Sequence, residues 1–483
     1  MDLSQLSFGP PAAERDRSLR SYFIESHAFE RLARGDKRIV LGNRGAGKSA
    51  IFQMIAEGEK RANNVVIELA PEDYSYQMFS DALVKEVEGA WLKSGAYAAA
   101  WKYLILVLVM KKLSKLNRGR AKSAHAEKMM FRYLADHHAN VAEKPIDILL
   151  SYLRRMEGVK LGKYEAGTRT RELTRLYKLE EIEPYIPTTV SLCKKTRVSV
   201  LVDELDQGWD ASEDAQAFVA GLFQACTSIN RLAPNHLRIY VSLRQELYEN
   251  IPSIYDDAQK YRDLFQSIHW DHEQLYLLLT SRIRHYIPEL WNRSDDECWR
   301  SVFAEQRSFR YMLERSLYRP RELITYATEA LECVRSHRRA IPLSHDTVTL
   351  VEHGYSQARM QDVVSEFRFQ YPGLDSVFEH FRGKTVSWDR DRIEDLLIKI
   401  SLGELPVHRE ARSWVIGSEP DRLLDVLWRV GLLRVDAADQ DGGSDHVKSW
   451  VEGSAQDPSA SLFSATRFRV HPLFRSALGV RTR

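Results

Sequence analysis

The eight residues Gly42-Asn43-Arg44-Gly45-Ala46-Gly47-Lys48-Ser49 follow the apolar run Ile39-Val40-Leu41 and precede a segment whose Ala50, Ile51, Met54 and Ile55 share one helical face. Nothing else in the chain constrains its fold as strongly. A buried strand that passes through a glycine-rich turn into a helix is the local architecture of a phosphate-binding loop, and every fixed position of that pattern is matched. Gly42, Gly45 and Gly47 permit backbone angles that turn successive N–H groups toward one point. The helix that follows adds the positive end of its dipole, which favours a polyphosphate. Lys48 is placed to reach the β- and γ-phosphates of ATP, and Ser49 to set its hydroxyl on Mg²⁺. The expected ligands are therefore ATP and Mg²⁺.

A second segment bears on turnover. Val198 to Val202 reads as a buried strand that ends in Asp203-Glu204. A carboxylate there holds Mg²⁺ through water, which assigns Asp203 to the metal, and the neighbouring Glu204 polarises the attacking water. Together the two segments predict an α/β fold with a P-loop NTPase parallel sheet, and the expected activity is ATP hydrolysis.

The 483 residues exceed one ordinary domain. With 44% hydrophobic and 28% charged residues the composition is that of a soluble globular protein. Cys193, Cys226, Cys298 and Cys333 are scattered without CxxC spacing, so they read as reduced thiols rather than metal ligands or disulfides. Neither His137-His138 nor the pair His269 and His272 has acidic or thiol company at ligand spacing. The first residues, MDLSQLSFGPPAAERDRS, lack the basic start and apolar centre of a signal peptide. Tyr103 to Met110 is apolar but far too short to span a bilayer, and it reads as a buried helix. A cytoplasmic location without membrane attachment is expected.

Further strands are expected at Val65 to Leu69, Leu237 to Val241 and Ser267 to Trp270. The long interval before the Asp203 strand reads as helical, with pieces at Tyr76 to Trp91 and Ala98 to Leu116. Its charge is unusual: residues 102–178 carry 18 Lys and Arg against 7 Asp and Glu, a net of +11 in a chain whose total is +2. Such a surplus suits a nucleic acid or an acidic protein surface. Helices then run through HEQLYLLLTSRIRHYI, RSFRYMLERSLYRPRELITYATEALECV, RIEDLLIKI and PDRLLDVLWRVGLL, and LLRV pairs with RFRVHPLF around a polar loop. The expected organisation is an ATPase core at 1–80 and 191–270, a basic helical insertion at 81–190, a helical lid at 271–340, a helical connector at 341–390, and a winged-helix-like domain at 391–483.

Taken in order, GNRGAGKS, VLVDELD, YVSLRQEL and YRPRELITYATEAL resemble the AAA+/STAND branch of P-loop ATPases. The likeness is to stand-alone bacterial ATPases with an origin-recognition-like core, many of them encoded near antiviral defence genes. It covers residues 1–80 and 190–340, extends only loosely to the last 90, and does not include the insertion. The resemblance implies an extra strand between the phosphate-loop strand and the Asp203 strand, with a γ-phosphate sensor at its end. Arg244 matches that sensor, and Ser242 is a second candidate. It also implies a lid arginine facing the nucleotide, matched by Arg321 with Arg319 two residues away, and a winged helix after the lid. FGPPAAERD is the candidate adenine-reading segment.

These readings predict a homo-oligomeric, ATP-controlled switch that transmits its state to a partner or effector chain. The alternative is a nucleic-acid-acting ATPase, a loader or remodelling motor, that uses residues 102–178. Residues 391–483 contain 13 basic and 14 acidic residues, and the expected recognition helix mixes Asp421 and Asp425 with Arg422 and Arg429. Groove-reading helices need clearer basic character, so protein contact is favoured there. Aromatic residues fit for base stacking are also sparse among Lys111 to Lys128, which tilts the insertion toward protein docking.

Overall fold

The computed structural model describes residues 6–70, 90–117, 125–140, 143–161, 171–172, 175–206, 209–249, 251, 262–336, 342–435, 462 and 465–481. The chain divides into two compact units, one of residues 25–42 and 48–268, the other of residues 1–24, 43–47 and 269–483.

The first unit is built on a five-stranded sheet in the order β2-β3-β4-β1-β5. Its strands are β1 (Ile39–Leu41), β2 (Val65–Leu69), β3 (Val198–Val202), β4 (Leu237–Leu243) and β5 (Phe265–Ser267). Every pairing is parallel, with Leu41 opposite Leu243 and Val202 opposite Val241. β1, β3 and β4 are buried along their whole length, as expected of parallel strands covered on both faces. β4 lies between β1 and β3, the extra strand that the resemblance implies. It runs past the expected end at Val241 and carries Ser242 inside the sheet, 2% exposed. β5 begins and ends earlier than expected, because Phe265 to Ser267 are the residues opposite β1.

The main helices of this unit are α1 (His27–Arg34), α2 (Lys48–Arg61), α3 (Ala90–Asn117), α4 (His125–His137), α5 (Pro145–Leu161), α6 (Ile186–Lys195) and α7 (Glu213–Asn230), with a short helical turn at Gln245–Glu249 after β4. The segment read as an insertion shares one core with the sheet. Tyr97, Trp101, Leu104 and Val107 of α3 are buried in the same cluster as Ile39, Val200 and Ile239. α3 packs on α7 without space for another carbon: a Cβ on Gly221 would lie 2.7 Å from the Ala98 nitrogen. Tyr97 donates to Asp214 at 3.1 Å and Trp101 to the Phe218 carbonyl at 3.2 Å, so the buried polar groups of this contact are matched. The expected helix from Tyr76 lies outside the described residues as far as residue 89.

The second unit is mainly helical: α8 (His272–Tyr286), α9 (Asp295–Val302), α10 (Arg307–Glu314), α11 (Pro320–Ser336), α12 (His345–Leu350), α13 (Glu352–Glu366) and α14 (Leu374–Phe378) come first. Asp271 and Ser294 form capping boxes with Gln274 and Glu297, which fixes where α8 and α9 start. The stretch from Arg307 to Val334 reads as helical with Pro320 at the start of its second run, and the structure separates two helices by residues 315–319. Tyr318 takes a left-handed φ of 55° there, and Pro320 opens α11 where its missing N–H costs least. Leu6 and Phe8 are buried in the same core as Leu275, Trp299 and Tyr326. Asp16 pairs with Arg282, whose guanidinium lies 4.4 Å from the Tyr22 ring centre, so the FGPPAAERD segment is anchored on α8.

Beyond α14 come β6 (Ser387–Asp389), α15 (Arg390–Ser401), α16 (Arg412–Val415), α17 (Pro420–Arg429), β7 (Leu433–Val435) and β8 (Arg467–Val470). The strands form an antiparallel sheet in the order β6-β8-β7. The expected hairpin is β7 and β8, whereas β6 was not legible from the sequence. Its three residues bury only Trp388, too little for an alternating pattern to register. Most of the polar loop expected at Asp436 to Ser464 lies outside the described residues.

Candidate functional site

The parallel register sets the ends of β1, β3 and β4 side by side, so Gly42, Asp203 and Arg244 leave the sheet along one edge. Ligands of open α/β sheets bind at such carboxyl ends, where the strand order reverses. Gly42 donates to the Leu243 carbonyl at 3.3 Å, and α2 starts at Lys48. The Lys48 ammonium donates to the Gly42 carbonyl at 2.7 Å. Burial lowers the Lys48 pKa and Arg244 lowers it further, while Glu246, Asp206 and Asp203 act to raise it. Ser49 follows in the first turn of α2, half-buried.

At the end of β3, Asp203 donates its backbone N–H to Leu69 and accepts the Glu204 N–H on its carboxylate at 2.9 Å. Glu204 adopts φ 59°, a left-handed conformation that a non-glycine residue takes only where its surroundings impose it. The carboxylates at 203 and 204 therefore leave the strand through a sharp turn. Arg244 is paired with Asp206 and lies 3.6 Å from Glu246. The sequence reading singled out Asp203, Glu204 and Arg244, with Asp206 the nearest further carboxylate. Glu246 was missed because a glutamate in the first turn of the short helix Gln245–Glu249 reads as an ordinary helix-start acid.

The loop residues Asn43–Gly47 group with the second unit. Gly45 and Gly47 have φ of 80° and 99°, conformations that L side chains rarely adopt. Trp270 donates its indole N–H to the Ala46 carbonyl at 2.8 Å, and the Arg321 backbone N–H approaches the Gly45 carbonyl at 3.4 Å. Arg319 donates to the Arg44 carbonyl at 3.2 Å. A Cβ on Gly45 would lie 3.0 Å from the Arg321 Cβ, so the start of α11 sits directly against the loop. The two arginines left open by the sequence thus differ. Arg319 is sealed, its side chain 5% exposed and paired with Glu366 at 2.7 Å, whereas Arg321 is only half-buried. Trp270 and Glu366 were not legible: a single tryptophan after a strand and a glutamate ending a helix read as ordinary packing and surface charge.

These residues fit a magnesium polyphosphate. Within the sheet unit a fourteen-residue helix begins at Lys48, and Ser49 and Asp203 carry side-chain oxygens of the kind that would suit Mg²⁺. Among the described residues no group of His, Cys, Asp and Glu is arranged to hold a metal by itself. Cys193, Cys226 and Cys298 are buried free thiols, and burial raises Cys193 to about 12. No helix among the described residues is long and apolar enough to cross a membrane.

The surplus cations of residues 102–178 divide into two groups. Lys111, Arg155 and Arg175 are paired with Glu143, Glu181 and Glu172. Lys112, Lys115, Lys128, Arg132, Lys144 and Arg154 are exposed, whereas Arg118 and Arg120 lie outside the described residues. On α17, Arg429 is paired with Asp425, and Asp421 with Arg390 of α15.

Residues 273–364 match the family described as the FunZ-associated C-terminal helical domain. The chain is 25% identical over 387 residues to the Escherichia coli "Putative transposon gamma-delta 80.3 kDa protein", an alignment spanning 78% of this chain and 53% of that protein. It is 26% identical over 118 residues to Allergen Alt a 2 of Alternaria alternata, covering 24% of this chain and 62% of that one. The chain thus spans between half and two thirds of the length of these relatives. Among solved structures, the ORC2 protein of Aeropyrum pernix, in ADPNP and ADP complexes, overlaps 94% of this chain and 93% of its own. Its sequence identity is 12% and its TM-score 0.38, too loose an overlap to establish a shared fold.

Proposed function

We propose that this chain is an ATP-binding and ATP-hydrolysing switch of the AAA+/STAND type, which couples its nucleotide state to self-assembly and to control of a partner protein. One observation carries the reading. A single edge of a parallel sheet presents Gly42, the Asp203-Glu204 turn and Arg244 at the ends of adjacent strands. In the proposed cycle Lys48 faces the β- and γ-phosphates, and Ser49 and Asp203 hold Mg²⁺. Glu204 positions the attacking water, and Arg244 and Arg321 read the γ-phosphate. ATP hydrolysis requires nothing further from the protein than positioning and electrostatics. The order of β6, α15, α17, β7 and β8, with β8 paired between β6 and β7, supports a winged-helix reading of the C-terminal part. Its expected recognition helix, α17, carries paired charges of both signs, which favours a protein partner there. A role in bacterial antiviral defence rests on the sequence resemblance alone. Phosphate release measured with and without Mg²⁺, together with mass by light scattering with and without ATP, tests the switch. Turnover without any change of mass or partner binding contradicts it.

The exposed cations of α3, α4 and α5 favour a second reading, a nucleic-acid-acting ATPase, and the Escherichia coli relative is named for a transposon. Phosphate neutralisation releases counterions, so such binding weakens steeply with salt. A filter-binding salt titration with double-stranded DNA and with RNA separates the two readings. Salt-sensitive nanomolar affinity that is lost when Lys112, Lys115, Lys128 and Arg132 are reversed to Glu promotes the second.

A further inference from the structure

Within the second unit, one residue of the phosphate loop is held through both of its backbone groups. The Arg44 N–H donates to the Glu366 carboxylate at 3.4 Å, and the Arg44 carbonyl accepts from Arg319 at 3.2 Å. Arg319 and Glu366 close the ring with a 2.7 Å ion pair whose side chains are 5% and 2% exposed. The pair lies where neither residue gains from its helix. Glu366 ends α13, where the helix dipole disfavours a carboxylate, and burial adds a desolvation cost. Arg319 stands just before α11, after the left-handed Tyr318, and Glu322 is a second carboxylate 3.7 Å from it. Glu322 is itself occupied, accepting the Leu317 N–H at 2.6 Å. A buried charge pair in such positions needs a partner that rewards it, and both charges point at the same loop residue.

We propose that Arg319 and Glu366 are positioning residues, a clamp on the Arg44 backbone that sets the phosphate loop for nucleotide and passes its state into α13. The proposal rests on the nucleotide-binding reading above. It gives Arg319 a different task from Arg321: Arg319 holds the loop and never meets the phosphates. The clamp grips the loop one residue before Gly45, so neither of these two hydrogen bonds takes an N–H between Gly45 and Ser49. When nucleotide tightens those later residues, the Arg44 backbone tightens with them, and the last turn of α13 is drawn along. α13 leads through α14 to β6, so it is the element by which loop and C-terminal sheet share one chain path.

The test uses the full chain with ATP and Mg²⁺. The double variant Arg319→Met with Glu366→Leu removes both charges, which spares the fold an unpaired buried ion. Its affinity for ATP is expected to fall about tenfold with the apparent KM rising in step, the equivalent of two ordinary hydrogen bonds lost from the loop. Hydrogen exchange supplies a readout that a merely structural pair would not move. In the wild type ATP should slow exchange in residues 352–366, and in the double variant it should not. Glu366→Gln keeps the acceptor for the Arg44 N–H and should fall between the two, so the clamp stays testable if the double variant melts. Wild-type ATP binding with equal affinity in the double variant overturns the clamp and leaves the nucleotide site standing. So does wild-type binding that leaves α13 exchange unchanged. Absence of ATP binding by the wild type overturns the nucleotide reading and the clamp with it.

Discussion

The strand ends of the sheet unit and the segment before α11 in the helical unit hold their charged side chains differently. In the sheet unit Lys48, Arg244, Asp203, Asp206 and Glu246 gather at the strand ends, and Arg244 and Asp206 remain 19% and 22% exposed. In the helical unit two ion pairs are sealed: Arg319 with Glu366, and Arg282 with Asp16, the latter 6% and 1% exposed. A sealed pair satisfies itself and fixes the backbone it touches. An open cluster at strand ends has room for a third charge, and its energetics are completed by whatever binds. The contrast separates groups suited to chemistry from groups suited to holding the loop in place.

Glu204→Gln breaks the comparison most severely on the sheet side. The amide keeps the shape of the turn but loses the base, so turnover should fall about 10²–10⁴-fold while ATP affinity is retained. Phosphate release and ATP titration check the two halves. A wild-type rate would hand the role to Asp206 or Glu246. Asp203→Asn should instead raise the Mg²⁺ concentration needed for half-maximal turnover.

On the helical side, Arg319→Met alone should destabilise that unit by about 3–5 kcal/mol, because Glu366 then stays buried without the Arg319 charge opposite it. The double replacement should recover most of that loss in a urea titration. If the single and double variants melt alike, the pair is not sealed in the sense argued.

Gly221→Ala sharpens the comparison away from any charge. The new methyl would meet the Ala98 backbone at 2.7 Å, so the sheet unit should lose about 1–3 kcal/mol with its rate per folded molecule unchanged. Unaltered stability would mean that α3 and α7 separate freely.

The smallest effect is a pH dependence. His138 is buried, with its ring between the Tyr103 hydroxyl at 3.0 Å and the Glu143 carboxylate at 3.1 Å. Burial lowers its pKa below 6.5, although Glu143 acts in the opposite direction. The unfolded chain therefore takes up the proton first as pH falls through 6.5, and the stability lent by a neutral His138 is lost below it. Melting curves between pH 7 and pH 5 should show this loss in the wild type and a shallower one in His138→Gln. Identical slopes would contradict it.

What could be read from sequence follows from how local each signal is. The phosphate loop, the Val198 to Val202 strand and the Val65 to Leu69 strand are short, apolar and punctuated, and their bounds agree with the structure. The start of the helical run Arg321 to Val334 is legible from Pro320, whereas the end of the preceding helix at Glu314 and the left-handed backbone at Tyr318 leave no mark in the apolar pattern. The clamp on Arg44 joins residues 275 and 322 positions apart, which no periodicity or spacing can report. The insertion is legible by its charge but not by its packing. Its surplus cations suggest a separate module, whereas the buried face of α3 belongs to the core of the sheet.

Isothermal titration of the full chain with ATP and Mg²⁺, wild type against Lys48→Ala, tests the central claim most directly. Removing the Lys48 ammonium, which the proposed cycle sets against the phosphates, would forfeit charge-assisted contacts worth about 1.5–3 kcal/mol, or more in a desolvated site. The account predicts saturable binding by the wild type and a loss of at least about tenfold in Lys48→Ala at unchanged thermal stability. Equal affinity in the two proteins, or no binding by the wild type, would contradict it.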